Sequence, residues 1–384
     1  MFLPVLMVRD YGGWGWAVFA VPNVVGAAAM GWVLRDRQVS HAVQQAHLAA
    51  CRWFSIVTLA FHAFFAIALI PLLIGDSFLV MALAMLPLVA ALWGARGRRA
   101  TIAASLVLAV SVLAMLSFVA LRGLTEVPPG YRPKGDLLWL GAVSAFGFML
   151  APYLDITFHR ARQSTTRAGG RTAFGVGFGL FFLLMIVFTA LYAEPLIGAL
   201  NGTARLSVRT DLAVAVLAVH LATQTAFTVV AHTDAVRDTR GPGGGWLRIV
   251  LGAAAIVALA VALRWVAREF PTYRGLRGQS LPSLELIYRI FMAFYGLVFP
   301  TYVWLFMVPS LRHRRPVAAR PPRPATIIFF AAVVTIAAPM FWMGFIEGRM
   351  PWLLPGLALV MVSRLLLPKG PPAAVAAAAE APDV

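Results

Sequence analysis

Apolar residues in this chain neither alternate nor recur along one helical face; they run in long blocks. A window of about 19 residues finds eleven such blocks, each about 18–27 residues long and therefore long enough to cross a bilayer as a helix. They fall at Gly12–Leu34, Leu48–Ile74, Ser77–Ala95, Ala100–Leu121, Leu137–Phe158 and Ala173–Ala193, and then at Asp211–His232, Leu247–Ala267, Ser283–Val308, Ala325–Ile346 and Met350–Leu367. The pattern predicts an all-α polytopic membrane protein over residues 1–369 with no room for a soluble domain. A disordered Ala/Pro-rich tail is expected over 370–384. The first block is not a signal peptide: Arg9 is offset by Asp10, and Arg35 and Arg37 follow the apolar run.

Composition agrees with this class. Of the 384 residues 61% are hydrophobic and 12% charged, with mean hydropathy +0.82. These values exclude a soluble globular domain and disorder, and a single cysteine, Cys51, excludes a disulfide scaffold. The net charge of +17 would suggest nucleic acid in a soluble protein. Here it is read as loops facing an anionic membrane leaflet, with the lipid bilayer and not nucleic acid as partner. Arginine so far outnumbers lysine (Lys134 and Lys369 alone) that a GC-rich bacterial genome and an inner-membrane location are expected.

Counted on alternate sides of the eleven blocks, Lys and Arg number 18 on one side and 10 on the other. The richer side is expected to be cytoplasmic, which puts the N-terminus outside and the C-terminus inside.

Polar residues inside the blocks carry the functional argument, because charge in hydrocarbon costs at least about 2.5 kcal/mol on insertion scales. His62, Asp155, His220 and Gln224 qualify, as do Asn23 after Pro22 and the pair Glu285 and Arg289. Each also has a plain structural reading. Glu285 and Arg289 have the spacing of a helical ion pair, His62 can bond a nearby carbonyl, and Asn23 can repair the hydrogen bond broken by Pro22. Asp155 is open between interfacial exposure and function. His220 has none of the context of a haem ligand. In the fifth block small residues meet a proline and an acid, from Ser144 and Gly147 to Pro152 and Asp155. A helix interrupted between Gly147 and Pro152 is expected there, freeing backbone groups at the midplane to hold a solute. No phosphate loop, metal-spaced cluster or nucleophile elbow is present, so no enzyme activity is predicted.

Two segments resemble the sodium:solute symporter family, which has the leucine-transporter fold. One is Ala151–Ala161, similar to the Pro-containing break and cytoplasmic Arg of that family's sixth core helix. The other is Ala218–Ala226, similar to the hydroxyl-rich stretch of its eighth. Thr223 and Thr225 are thereby implied as sodium-binding residues. Asn23, His62, Ser144, Gly147, Pro152, Asp155 and Gln224 are implied around a small-molecule solute, with Thr223 and Thr225 facing the interior beside the fifth block. The chain departs from the family at Ala151, Tyr153 and Ala222. Counting back from the fifth block makes Gly12–Leu34 the second core helix, so the first is expected to be absent. Met1–Val8 is then the stub of a longer N-terminus, a misplaced start or a real loss. Without that helix no cofactor beyond a weakly held sodium ion is expected. Three functions stay open: a secondary transporter of this type, a descendant that no longer transports and serves as sensor, scaffold or subunit, and a membrane-embedded transferase.

Overall fold

The computed structural model describes residues 2–95, 97–239, 246–276, 279–308 and 321–367. The expected tail 370–384 and several arginines of the charge count (Arg96, Arg240, Arg277 and those of 312–320) together with Lys369 lie outside them. Each of the eleven apolar blocks is helical. Among the described residues nine helices are long and apolar enough to cross a membrane: α1 (Leu3–Val33), α3 (Leu48–Leu73), α5 (Arg98–Arg122), α6 (Asp136–Leu154), α8 (Arg167–Leu191), α10 (Leu212–Asp238), α11 (Arg248–Glu269), α12 (Ser283–Met307) and α13 (Pro324–Phe345). Two more, α4 (Ser77–Leu92) and α14 (Met350–Ser363), are apolar but shorter. Three short helices lie between these: α2 (Arg37–Ala46), α7 (Ile156–Gln163) and α9 (Ala193–Leu200). Strand pairing is minor, a parallel pair of Ile74–Gly75 with Leu206–Ser207 and an antiparallel hairpin of Thr272–Arg274 with Ser280–Pro282.

The largest departure from the sequence pattern is at the start of α1. Gly12 has φ 67° and ψ −152°, a conformation essentially confined to glycine. Residues eight apart in a straight helix are separated by about 12 Å along the axis, yet a Cβ on Gly15 would collide with the Met7 carbonyl. The chain therefore folds back at Gly12. Residues 3–11 form a separate half-helix whose Val5, Leu6 and Val8 are buried, and residues 13–33 run on as the crossing helix. Residues 3–8 are thus part of a packed element of the core. Trp16 ties the fold-back to α8, its indole N–H donating to the Ile186 carbonyl at 3.2 Å and the Thr189 hydroxyl at 3.3 Å.

The interruption of the fifth block is displaced from its expected place. Residues 136–150 are continuous α-helix, and the Ala151 N–H still reaches the Gly147 carbonyl. The backbone tightens into a 3-10 turn at Ala151–Leu154 and becomes extended at Asp155. Pro152 lacks the N–H that Phe148 needs, so its effect falls one turn later than the glycine suggested. Gly147 acts between helices instead. A Cβ there would lie 2.7 Å from the Tyr295 carbonyl, so its absence lets α6 and α12 approach closely.

Helix α10 packs on α4, α5 and α3, and α1 on α6 and α8, while α12 touches α6 and α13. Three helices carry π-turns: α3 at Phe65–Leu69, α8 at Gly177–Phe182, and α12 at both Phe294–Val298 and Val303–Met307. The turn in α3 has a visible partner. Arg264, inside α11, donates to the Ile67 carbonyl at 2.5 Å and sits 5.8 Å from the Phe78 ring centroid. That places an arginine of a membrane-length helix on a carbonyl where the regular ladder is interrupted.

Candidate functional site

The half-helix 3–11 ends in a buried charge cluster. Arg9 donates both terminal nitrogens to Glu285, at 2.7 and 2.9 Å, and its Nε to Asp10 at 2.7 Å. Arg289, one turn beyond Glu285 on α12, donates to Glu285 at 2.8 and 2.6 Å and to the Phe345 carbonyl at 2.5 Å, and lies 3.4 Å from Asp10. Arg132 completes the ring with its Nε 3.5 Å from Asp10. Three guanidinium groups thus face two carboxylates, and Glu285 is fully buried. Arg9 and Arg132 each lie 5.7 Å from the centroid of the Tyr131 ring. The segment carrying Tyr131 and Arg132 is pinned to the fold-back by the Arg132 N–H, which donates to the Asp10 carbonyl at 2.8 Å.

Against this cluster lies a cavity of about 70 Å³, room for about five waters. Leu6 and Met7 of the half-helix, Ser144 and Gly147 of α6, and Met292 and Tyr295 of α12 are among the residues that surround it, with Asp10 and Arg289 at its charged end. Tyr11 also lines it, and the Tyr11 hydroxyl is buried and without a protein hydrogen-bond partner among the described residues. The space is therefore mainly apolar, with one free phenol, a serine and a charged end.

Of the residues singled out in the sequence as solute- or ion-binding, Ser144 and Gly147 reach this cavity and the others do not line it. Asn23 is half-buried on α1. The His62 ring bonds the Thr58 carbonyl at 2.7 Å, the plain reading given above. Gln224 donates to the Ser111 hydroxyl at 2.7 Å, in the packing of α10 on α5. Pro152 lies in the 3-10 turn. Asp155 is neither interfacially exposed nor in the cavity: it caps α7, accepting from the Thr157 N–H at 2.8 Å and the Thr157 hydroxyl at 2.6 Å. Thr223 and Thr225 are buried as expected, but α10 packs chiefly on α4, α5 and α3 rather than beside α6. Their hydroxyls donate to the Val219 and Leu221 carbonyls of their own helix, at 2.8 and 2.7 Å. The ion pair of Glu285 and Arg289 is present, and Arg9 joins it from 276 positions away.

Sequence reasoning missed Arg9, Asp10, Tyr11 and Tyr295. A usable signal existed for the first two: Arg9–Asp10 lies between an apolar run from Phe2 to Val8 and the pair Gly12–Gly13, an awkward place for charges with no partner.

A second polar centre lies where α2, α3 and α7 meet. His159 is held between the Ser40 hydroxyl at 3.0 Å and the Tyr153 carbonyl at 2.9 Å, and the Gln163 amide donates to Gln44 at 2.7 Å. His47, just before α3, contacts the Tyr302 hydroxyl at 3.1 Å. Burial, with His159 nearby, lowers the His47 pKa to about 4. The unfolded chain takes up this proton near pH 6.5, and the folded protein does so only near pH 4. The imidazole therefore contributes stability that is present above pH 6.5 and lost as pH falls through that window, by at most about 3 kcal/mol. A thermal unfolding series from about pH 7.5 to about pH 4.5 is expected to show a falling midpoint in the wild type and a shallower fall in His47→Gln. Parallel slopes would remove the assignment.

No model of a known protein family and no curated protein matches the chain.

Proposed function

We propose that the protein is a membrane carrier of the secondary-transporter type, with the arginine-rich side cytoplasmic. Its solute is small and mainly apolar, with a hydrogen-bond acceptor that meets the Tyr11 hydroxyl. The observation that carries the reading is the cavity at the Gly12 fold-back, bounded by half-helix 3–11, α6 and α12 and adjoined by a buried charge cluster. A short helix ending inside a bundle next to a cavity is a form in which transporters present backbone ends to a solute. The proposed symporter kinship is supported by this fold-back and by the break after Leu150. The self-bonded hydroxyls of Thr223 and Thr225 do not support a sodium site.

A second reading, a transporter-derived protein that binds without transporting, is favoured by the small size of the cavity. Introducing Ser144→Cys into a Cys51→Ala background separates the two. A membrane-impermeant thiol reagent applied from either side of sealed vesicles is expected to label the cavity cysteine from both sides of a carrier. Labelling from one side alone, or from neither, would favour the non-transporting reading.

A further inference from the structure

A separate pocket of about 450 Å³ opens where α1 ends and α8 begins, among Asp36, Arg37, Gln38, Arg162, Thr166 and Arg167. We infer that this pocket holds the phosphate headgroup of an anionic phospholipid.

The charge balance is the first reason. Arg35, Arg37, Arg162, Arg167 and Arg171 lie on the two segments that form the pocket, and Asp36 is the only acid on them between Leu34 and Gln38 or between Ala161 and Thr172. None of the five arginines is ion-paired to a carboxylate among the described residues. Asp36 caps α2, accepting from the Val39 N–H at 2.9 Å, and keeps its negative charge, so one carboxylate stands against five guanidinium groups. Arg162 is fully buried and fixed by carbonyls and the Thr165 hydroxyl: its Nε donates to Leu34 at 3.2 Å, one terminal nitrogen to Arg35 at 2.5 Å and the other to Thr166 at 3.2 Å. A guanidinium pinned to neutral acceptors keeps its whole positive charge. Arg37 and Arg167 are exposed beside it. Among the described residues, Arg37 is held only by its Nε, which donates to the Thr165 carbonyl at 3.3 Å. Its terminal nitrogens can therefore close on an anion, the geometry in which arginine recognises phosphate.

The helix ends add to this field. The N-termini of α2 and of α8 both open onto the pocket, the second capped by the Thr166 hydroxyl at 3.1 Å from the Gly169 N–H. Helix N-termini present N–H groups and partial positive charge to anions.

The surroundings select a lipid over a free anion. The pocket lies at the ends of two membrane-length helices, the level at which headgroups sit. Immediately along those helices Trp32, Val176 and Leu180 are exposed by 49, 44 and 59%, and Trp32 packs on Gly175. An exposed tryptophan at a helix end is typical of the membrane interface. A phosphate among the arginines thus has an apolar track beside it for acyl chains, the arrangement of basic headgroup pockets between membrane helices.

The test uses the full chain in phosphatidylcholine nanodiscs, with phosphatidylglycerol added in steps and the thermal midpoint followed, and lipid retention read by native mass spectrometry. Phosphatidylglycerol is expected to raise the midpoint and to be retained. In Arg37→Gln/Arg167→Gln the retained fraction should fall about tenfold or more, while the midpoint in pure phosphatidylcholine stays at the wild-type value. Arg205→Gln/Arg274→Gln, on other segments, should retain lipid as the wild type does. Should the double variant unfold in phosphatidylcholine, the single Arg167→Gln is read instead, with a smaller drop expected. Retention unaffected by loss of the pocket arginines would overturn the inference. So would equal protection by millimolar inorganic phosphate, which would make the pocket a site for a free anion.

Discussion

Glu285→Gln is expected to cost about 3–5 kcal/mol of stability, the range found when one partner of a buried ion pair is removed. The amide is nearly the same size, so packing is kept and the loss is electrostatic. Glu285 accepts from both Arg9 and Arg289 with no solvent contact. Its neutralisation leaves three guanidinium groups facing Asp10 alone. A double change, Arg9→Met with Glu285→Gln, removes one of the uncompensated cations and is expected to recover part of the loss. Both are read from unfolding midpoints in one detergent. If the double variant is destabilised by the sum of its two single changes, the pair is not coupled and the cluster does not hold the half-helix in place.

Gly12→Ala is the second large effect, through the backbone. At φ 67° and ψ −152° a residue with a Cβ is strained by about 1–3 kcal/mol. The added carbon would also stand 2.8 Å from the carbonyl oxygens of Pro128 and Pro129. Either the fold-back opens or the segment bearing Tyr131 and Arg132 is displaced, and the second outcome weakens the hydrogen bond from Arg132 to Asp10. Gly13→Ala is the control: its φ is not in the left-handed region and its nearest neighbour would be Val127 Cγ1 at 3.9 Å. Gly12→Ala is expected to lower folded yield and thermal midpoint well below Gly13→Ala. Equal behaviour of the two would mean that the turn tolerates a side chain and does not set the position of Arg9.

All eleven apolar blocks are helical among the described residues, and nine of those helices have the length to cross a membrane, because insertion of a segment into hydrocarbon is a local matter. About 20 apolar residues suffice whatever the rest of the chain does. Local chemistry likewise made the pair of Glu285 and Arg289 and the His62 bond to Thr58 readable, since both partners lie one helical turn apart. The break in the fifth block was legible in kind from Pro152. It was misplaced because Gly147 served a neighbour, Tyr295, and not its own backbone. The candidate site was legible at Ser144 and Gly147 and hidden elsewhere. Nothing along the chain connects Arg9 with Glu285, 276 positions on. Nor does it say that the Thr223 and Thr225 hydroxyls turn to their own helix, or that residues 3–11 fold back over residues 13–33. Spacing along a sequence determines which segments enter the membrane. The partners of their polar groups are decided only when helices pack, because a buried charge takes whichever counter-charge the packing brings within about 3 Å.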